Sequence, residues 1–226
     1  MTLGDDNITR VLPPEVVSIA QQLDTFVVES EKSARHFLST LKTAKPVREL
    51  TLNLLNEHTE DKDVSALLAP LLAGKNVGLM SDAGCPGVAD PGARLVELAH
   101  QKNIRVVPFV GPSSILLSLM ASGLNGQQFA FLGYLPVDKM QRNQKLKEIE
   151  KRSLTHFETQ LFIETPYRNQ HLLEAILSVC QPNTRLCVAC DISLTTEIIV
   201  TKTIATWEKS PPPDLHKRPT IFLLLA

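Results

Sequence analysis

Short apolar runs alternate along the chain with stretches whose apolar residues recur every three to four positions. The runs read as strands are TFVV (25–28), NVGLM (76–80), IRVVPF (104–109), FAFLGYL (129–135), TQLFIE (159–164), RLCVACDI (185–192), IIVTKTI (198–204) and TIFLLLA (220–226). Helical spacing covers about 12–22, 31–41, 61–73, 92–101, 113–121, 139–151 and 168–179. Pro70 inside the third of these is expected to kink or shorten it. The first half reads β-α-β-α, the order of a parallel sheet covered on both faces. In the second half RLCVACDI and IIVTKTI follow one another without a helix, so that sheet is expected to be mixed. The predicted class is α/β: two α/β/α domains, a parallel-sheet N-terminal one over 1–118 and a mixed-sheet C-terminal one over 119–226, with the boundary in the 115–127 stretch and a ligand cleft between them. A doubly wound domain ordinarily opens on a buried strand, whereas this sequence opens directly on MTLGDDNIT.

Composition narrows the classes of function. Apolar residues make up 43% and charged residues 21% of 226, enough apolar mass for a core. A formal net charge of −1 gives no global positive field, which argues against a general nucleic-acid binder but leaves room for a local basic patch. No run of 18 apolar residues occurs and the N-terminus is polar, so neither a membrane span nor a signal peptide is expected and the predicted location is cytoplasmic. Cys187-x-x-Cys190 has metal-ligand spacing, but on a strand residues three apart face opposite ways, and no second pair and no paired histidine completes a set. Cys85, Cys180, Cys187 and Cys190 are therefore expected to be structural thiols, with no metal bound.

Three loops fall where open α/β sheets bind ligands, beyond the carboxyl ends of strands: TLGDDNIT, SDAGCPGVADPG and FVGPSSI. The central one is no phosphate cradle, since it lacks G-x-x-x-x-G-K-[ST] and its Asp82 and Asp90 would repel an anion. An acidic, glycine-rich turn suits a ligand with a positive centre and hydroxyls, and S-adenosylmethionine has a sulfonium, an amino group and a ribose. Ser81, Asp82, Ala83 and Gly84 are the expected contacts, whereas Asp90 is expected to cap the helix after Pro91. In GPSS, Pro112 with Ser113 and Ser114 reads as a helix start beside the same cleft.

SDAGCPGVADPGARLV, followed in order by VVPFVGPSSILLSLMASGL, FAFLGYLP and LFIETPYR, resembles the tetrapyrrole-methylase superfamily of S-adenosylmethionine-dependent enzymes. Within it the likeness is to the branch that methylates a cytidine 2′-hydroxyl of small-subunit ribosomal RNA, and it runs from LGDDNIT to the final strand. The resemblance implies two α/β/α domains, a methyl donor folded in the cleft between them, and a homodimer acting on ribosomal RNA or the small ribosomal subunit. Carried over by position, it implies donor contacts at Thr2 and Leu3, at Ser81, Asp82, Ala83 and Gly84, at Ser113 and Ser114, and at Ile163 and Ala189. VVESEKSARHFL resembles the branch's E-D-T-R stretch, with Glu29 kept and Lys32 where arginine is usual. ACDISLTTE departs from an A-R-E-L-T-K-like run: Cys190 and Leu194 replace two basic residues, while Asp191, Ser193 and Glu197 keep the acidic and hydroxyl character.

A 2′-hydroxyl must lose its proton during transfer, so a carboxylate at the cleft is the natural general base. Glu29 and Glu164 are the candidates, with Arg168 as a phosphate anchor; a structural Glu164–Arg168 ion pair is the competing reading. His58 also matches a family position, but a loop histidine is more often simply solvated. The basic run DKMQRNQKLKEIEKR (138–152), net +3, is the expected additional RNA contact or else a solvated helix face. The alternatives kept open are a methyltransferase of a tetrapyrrole or other small substrate, and a non-catalytic relative.

Overall fold

The computed structural model describes residues 1–4 and 7–226, and the chain divides into two units, Met1–Ser113 and Ser114–Ala226. In the first unit, helices α1 (Ile8–Val11) and α2 (Pro14–Gln22) precede strand β1 (Thr25–Val28), and α3 (Glu31–Leu41) follows it. Then come β2 (Thr51–Leu54), α4 (Asp61–Ala66), α5 (Ala69–Leu72), β3 (Gly78–Met80) and α6 (Ala93–Gln101). The strands form a parallel sheet in the order β2-β1-β3.

The alternation of β1 builds both faces of that sheet. Val27 packs with Leu55, Val64, Leu68, Leu95, Leu98 and Ala99. Phe26 and Val28 point the other way, into Ala34, Leu38, Leu41 and Leu50. Every β1 residue is buried, as a strand covered on both sides requires. Ser30 starts α3, its hydroxyl accepting from the Ser33 N–H at 3.3 Å, and Lys42 ends it in the left-handed region. The stretch predicted as one helix over 61–73 is broken into α4 and α5, with Pro70 in the first turn of α5.

The strand predicted over 104–109 does not form. Residues 105–110 are exposed and join no sheet, and β3 pairs only with β1 among the described residues. Val106, Val107, Phe109 and Val110 are left 37%, 47%, 45% and 74% exposed. β-branched composition makes a strand only when a second backbone supplies the ladder. The opposite error concerns TLNL, which forms β2 although its short, half-polar pattern gives no strand signal.

The second unit runs α7 (Ser114–Ser122), β4 (Phe129–Tyr134), α8 (Lys139–His156), β5 (Thr159–Ile163), α9 (Asn169–Val179), β6 (Arg185–Cys190), β7 (Ile198–Thr203), α10 (Ile204–Glu208) and β8 (Thr220–Leu225). Its sheet has the order β4-β5-β8-β6-β7, mixed as expected: β4 and β5 are parallel, and the other pairs antiparallel. Phe162, Phe222 and Val188 lie on one face, with Leu146 and Ile149 of α8 and Leu172, Leu173 and Ile176 of α9 packed in the same core. Glu150 of α8 is buried there, and it accepts from the Gln181 N–H at 2.7 Å and the Thr184 hydroxyl at 2.5 Å. α7 packs on β6, β7 and β8, and the Thr201 hydroxyl donates to the Ser122 carbonyl at 2.6 Å. Cys187 and Cys190 lie on β6 with no exposure, and burial raises both thiols above their ordinary pKa.

Candidate functional site

Parallel strands deliver their following loops to one edge of the sheet, so the residues after β1 and β3 meet. Glu29 follows β1 directly, and Ser81 and Asp82 follow β3. The Asp82 N–H donates to Glu29 Oε2 at 3.1 Å, and the Ser33 hydroxyl of α3 donates to Asp82 Oδ2 at 3.1 Å. Ser81 is buried and its hydroxyl reaches the Ala83 carbonyl at 3.4 Å. Gly84 sits at φ +80°, a conformation that a side chain would strain. Its carbonyl accepts from the Met1 amino group at 3.2 Å, and the place a Cβ would take lies 3.6 Å from Leu3 Cδ2 and 3.5 Å from the Pro112 carbonyl. The three loops singled out in the sequence are thus gathered at one edge of the first unit. Asp5 and Asp6 of the first loop lie outside the described residues.

Asp90 corrects an expectation. The N-cap of α6 is Gly92, with no side-chain cap bond, so Asp90 does not cap the helix. Its carboxyl instead answers to Ser81, Glu29 and Asp82. Burial first, and then the neighbouring Glu29 charge, raise its pKa above the usual aspartate value. Glu29, Asp82 and Asp90 therefore concentrate negative charge on one loop edge, with the Met1 amino group as the cation beside it. That charge, with the backbone opened by Gly84, fits a group carrying a sulfonium and an ammonium. A capping reading hid Asp90 in the sequence; the signal that could have found it is its place in the same turn as Asp82.

On the second unit, Glu164 follows β5 and its side chain is 1% exposed. Glu164 Oε1 accepts from Arg168 Nη2 and from the Thr165 N–H, both at 2.6 Å. Ile163 and Ala189 each pair with Ile221 of β8, from opposite sides, so the three share one face of the sheet. After β6, Asp191 (φ 51°) and Ser193 (φ 73°) adopt left-handed backbone although neither is glycine. Arg218 holds this loop: Nε donates to Asp191 Oδ2 at 2.8 Å and Nη2 to the Thr196 carbonyl at 2.5 Å. Neither residue stood out in the sequence as a pair, because 27 positions separate them. Ser113 ends the first unit and Ser114 begins α7. His58 is exposed, its nearest charged neighbour being the adjacent Glu57. On α8, Glu150 turns inward and Arg152 pairs with Glu158 at 2.8 Å, leaving Lys139, Lys147 and Lys151 on the exposed side.

Comparison with known proteins bears on this geometry. Residues 9–208 match the family of tetrapyrrole (corrin/porphyrin) methylases. A ribosomal RNA small subunit methyltransferase I of Vibrio cholerae is 37% identical over 145 residues, 64% of this chain and 49% of that protein. The enzyme of the same name from Xylella fastidiosa is 28% identical over 217 residues, 95% of this chain and 76% of that protein. The chain thus spans about half the length of the Vibrio relative it matches. Among solved structures, that of the methyltransferase CobJ superposes with a TM-score of 0.61 at 18% identity, covering 97% of this chain and 90% of that one, which speaks to fold alone. With the match spanning nearly the whole of both units, the chain belongs to the tetrapyrrole (corrin/porphyrin) methylases.

Proposed function

We propose that the protein is an S-adenosylmethionine-dependent methyltransferase acting on a ribose 2′-hydroxyl of small-subunit ribosomal RNA. The observation that carries the reading is the loop edge where Glu29, Asp82 and Asp90 meet around the turn at Gly84. It is supported by family membership and by relatives named ribosomal RNA small subunit methyltransferase I.

When bound, the donor supplies a methyl group already activated by its sulfonium. The protein's work is then alignment, charge complementarity and exclusion of water. Asp82 and Asp90 would face the positive groups, Ser81, Ala83 and Gly84 would offer backbone and hydroxyl contacts, and Thr2, Leu3, Ser113 and Ser114 are further proposed contacts. Ile163 and Ala189 are proposed as apolar donor contacts because the resemblance implies them. Glu29, half-buried and with Oε1 not engaged by Asp82, is the proposed acceptor of the hydroxyl proton. Glu164 is the less accessible acceptor, because one oxygen already takes two short bonds and the side chain is buried. With Arg168 it forms a fixed pair that leaves part of the guanidinium for a phosphate. A cytoplasmic homodimer completes the reading; no helix among the described residues is long and apolar enough to cross a membrane.

A labelled-methyl transfer assay on small ribosomal subunits lacking 2′-O-methylation tests the reading. Incorporation that maps to a ribose is expected. Donor binding without incorporation, or transfer to a tetrapyrrole instead, moves the assignment to a small-substrate enzyme or to a non-catalytic relative.

A further inference from the structure

The first unit holds a cleft of about 420 Å³ that runs along one face of α3 and shares Thr2 and Asp82 with the proposed donor contacts. Lys32, Ser33, His36 and Phe37 line one wall, Thr2 faces them, and Asp82 closes one end. Residues 32, 33, 36 and 37 belong to one helical stripe, so their side chains reach the same space. The volume falls in the range of small-ligand sites. Lys32 is exposed and makes no hydrogen bond or ion pair with any described residue, so its charge is available to something outside the fold.

The order of groups along this wall narrows the ligand. From Glu29 the contacts step to the Asp82 N–H, from Asp82 to the Ser33 hydroxyl, and Lys32 is the next residue on the helix. Lys32, without a partner among the described residues, therefore lies in the wall of a cleft whose end residue, Asp82, is tied through its N–H to the proposed proton acceptor Glu29. In a ribonucleotide the 2′-hydroxyl and the 3′-phosphate sit on adjacent carbons, so an enzyme acting on that hydroxyl needs a cation a short step from its base. We propose that this cleft is the acceptor subsite and that Lys32 contacts the phosphodiester 3′ to the methylated ribose. The proposal rests on the reading of the protein as an RNA 2′-O-methyltransferase and adds the residue that recognises its substrate.

Three measurements on purified protein and its Lys32→Ala, Lys32→Arg and Lys32→Glu variants test it: calorimetric titration with S-adenosylmethionine, salt-dependent binding of a single-stranded ribo-oligonucleotide, and steady-state methyl transfer. Lys32→Ala should weaken oligonucleotide binding about three- to tenfold and reduce the log–log salt slope by about 0.7, the increment for one single-strand phosphate contact. Lys32→Glu should weaken it further, and Lys32→Arg should stay within about twofold of the unmodified protein. The loss in transfer should appear in KM with kcat little changed, and donor titration should be unaltered in all three variants. Unchanged RNA affinity and salt slope in Lys32→Ala overturn the proposal, as does an unmodified protein that binds donor but no RNA. Absence of donor binding by the unmodified protein is a separate result, which removes the methyltransferase reading itself.

Discussion

The Asp82 N–H donates to Glu29 Oε2 at 3.1 Å, which fastens the turn after β3 to the first residue after β1. One carboxylate oxygen thus holds the turn while the other is left for the proposed role of base. Glu29→Gln keeps an oxygen for the Asp82 bond and removes the proposed base. It should lower kcat for methyl transfer by about 10²- to 10⁴-fold, the usual contribution of a positioned base. Donor affinity, read by calorimetry, should fall by less than about tenfold. Glu29→Ala removes both functions and should weaken the donor as well.

Asp90 gives the proposed donor site a pH dependence. Its carboxyl titrates above the ordinary 3.8, chiefly because burial disfavours the charge. Folding therefore gains from its protonation, and this contribution is present at acid pH and lost as pH rises through the raised folded value. A bound sulfonium favours the ionised form, so donor affinity should strengthen over that same rise. Titrations in buffers of different ionisation enthalpy should show proton release on binding at the acid end. Asp90→Asn should flatten the profile.

Gly78 is packed against Phe26, and a Cβ built there would lie 2.7 Å from Phe26 Cδ1 and 2.9 Å from Cε1. Phe26 is 1% exposed and lies in the core beneath α3, so it has little room to yield. Gly78→Ala should destabilise the first unit by roughly 1–3 kcal/mol, the range for overpacking a core. Trp207, the single tryptophan, lies in the second unit, so the loss should be followed by far-UV circular dichroism.

Arg218 and Asp191 form an ion pair at 2.8 Å with side chains 21% and 7% exposed. Arg218→Ala leaves a buried carboxylate without its partner and should cost about 3 kcal/mol, read from a shift in the urea midpoint of Trp207 fluorescence. Adding Asp191→Ala should recover part of that loss in a double-mutant cycle. Additive losses would mean that the pair does not hold the 191–197 loop.

Much of this fold is legible in the sequence alone. TFVV and TIFLLLA are continuous apolar runs, and both strands are buried along their length. The mixed second sheet followed from two strands in succession without a helix. IRVVPF misled because composition reports the fitness of one backbone for a ladder and nothing about whether a neighbour exists. TLNL was hidden for the converse reason: its place beside β1 is set by β1, and its own pattern is too short to speak. For the candidate site, the loops were visible from glycine and aspartate spacing. What joins them was not, since bonds such as Ser33 to Asp82 span 49 positions and arise only when parallel strands bring their ends together. Asp90 had two local readings, and only packing separates a cap from a site carboxylate.

Calorimetric titration of the purified protein with S-adenosylmethionine, repeated on Asp82→Ala, tests the central claim most directly. A micromolar dissociation constant, about −8 kcal/mol, is expected for the unmodified protein. Asp82→Ala should bind at least several-fold more weakly. Absence of binding, or an affinity indifferent to Asp82, would contradict the assignment of this loop edge as the donor site.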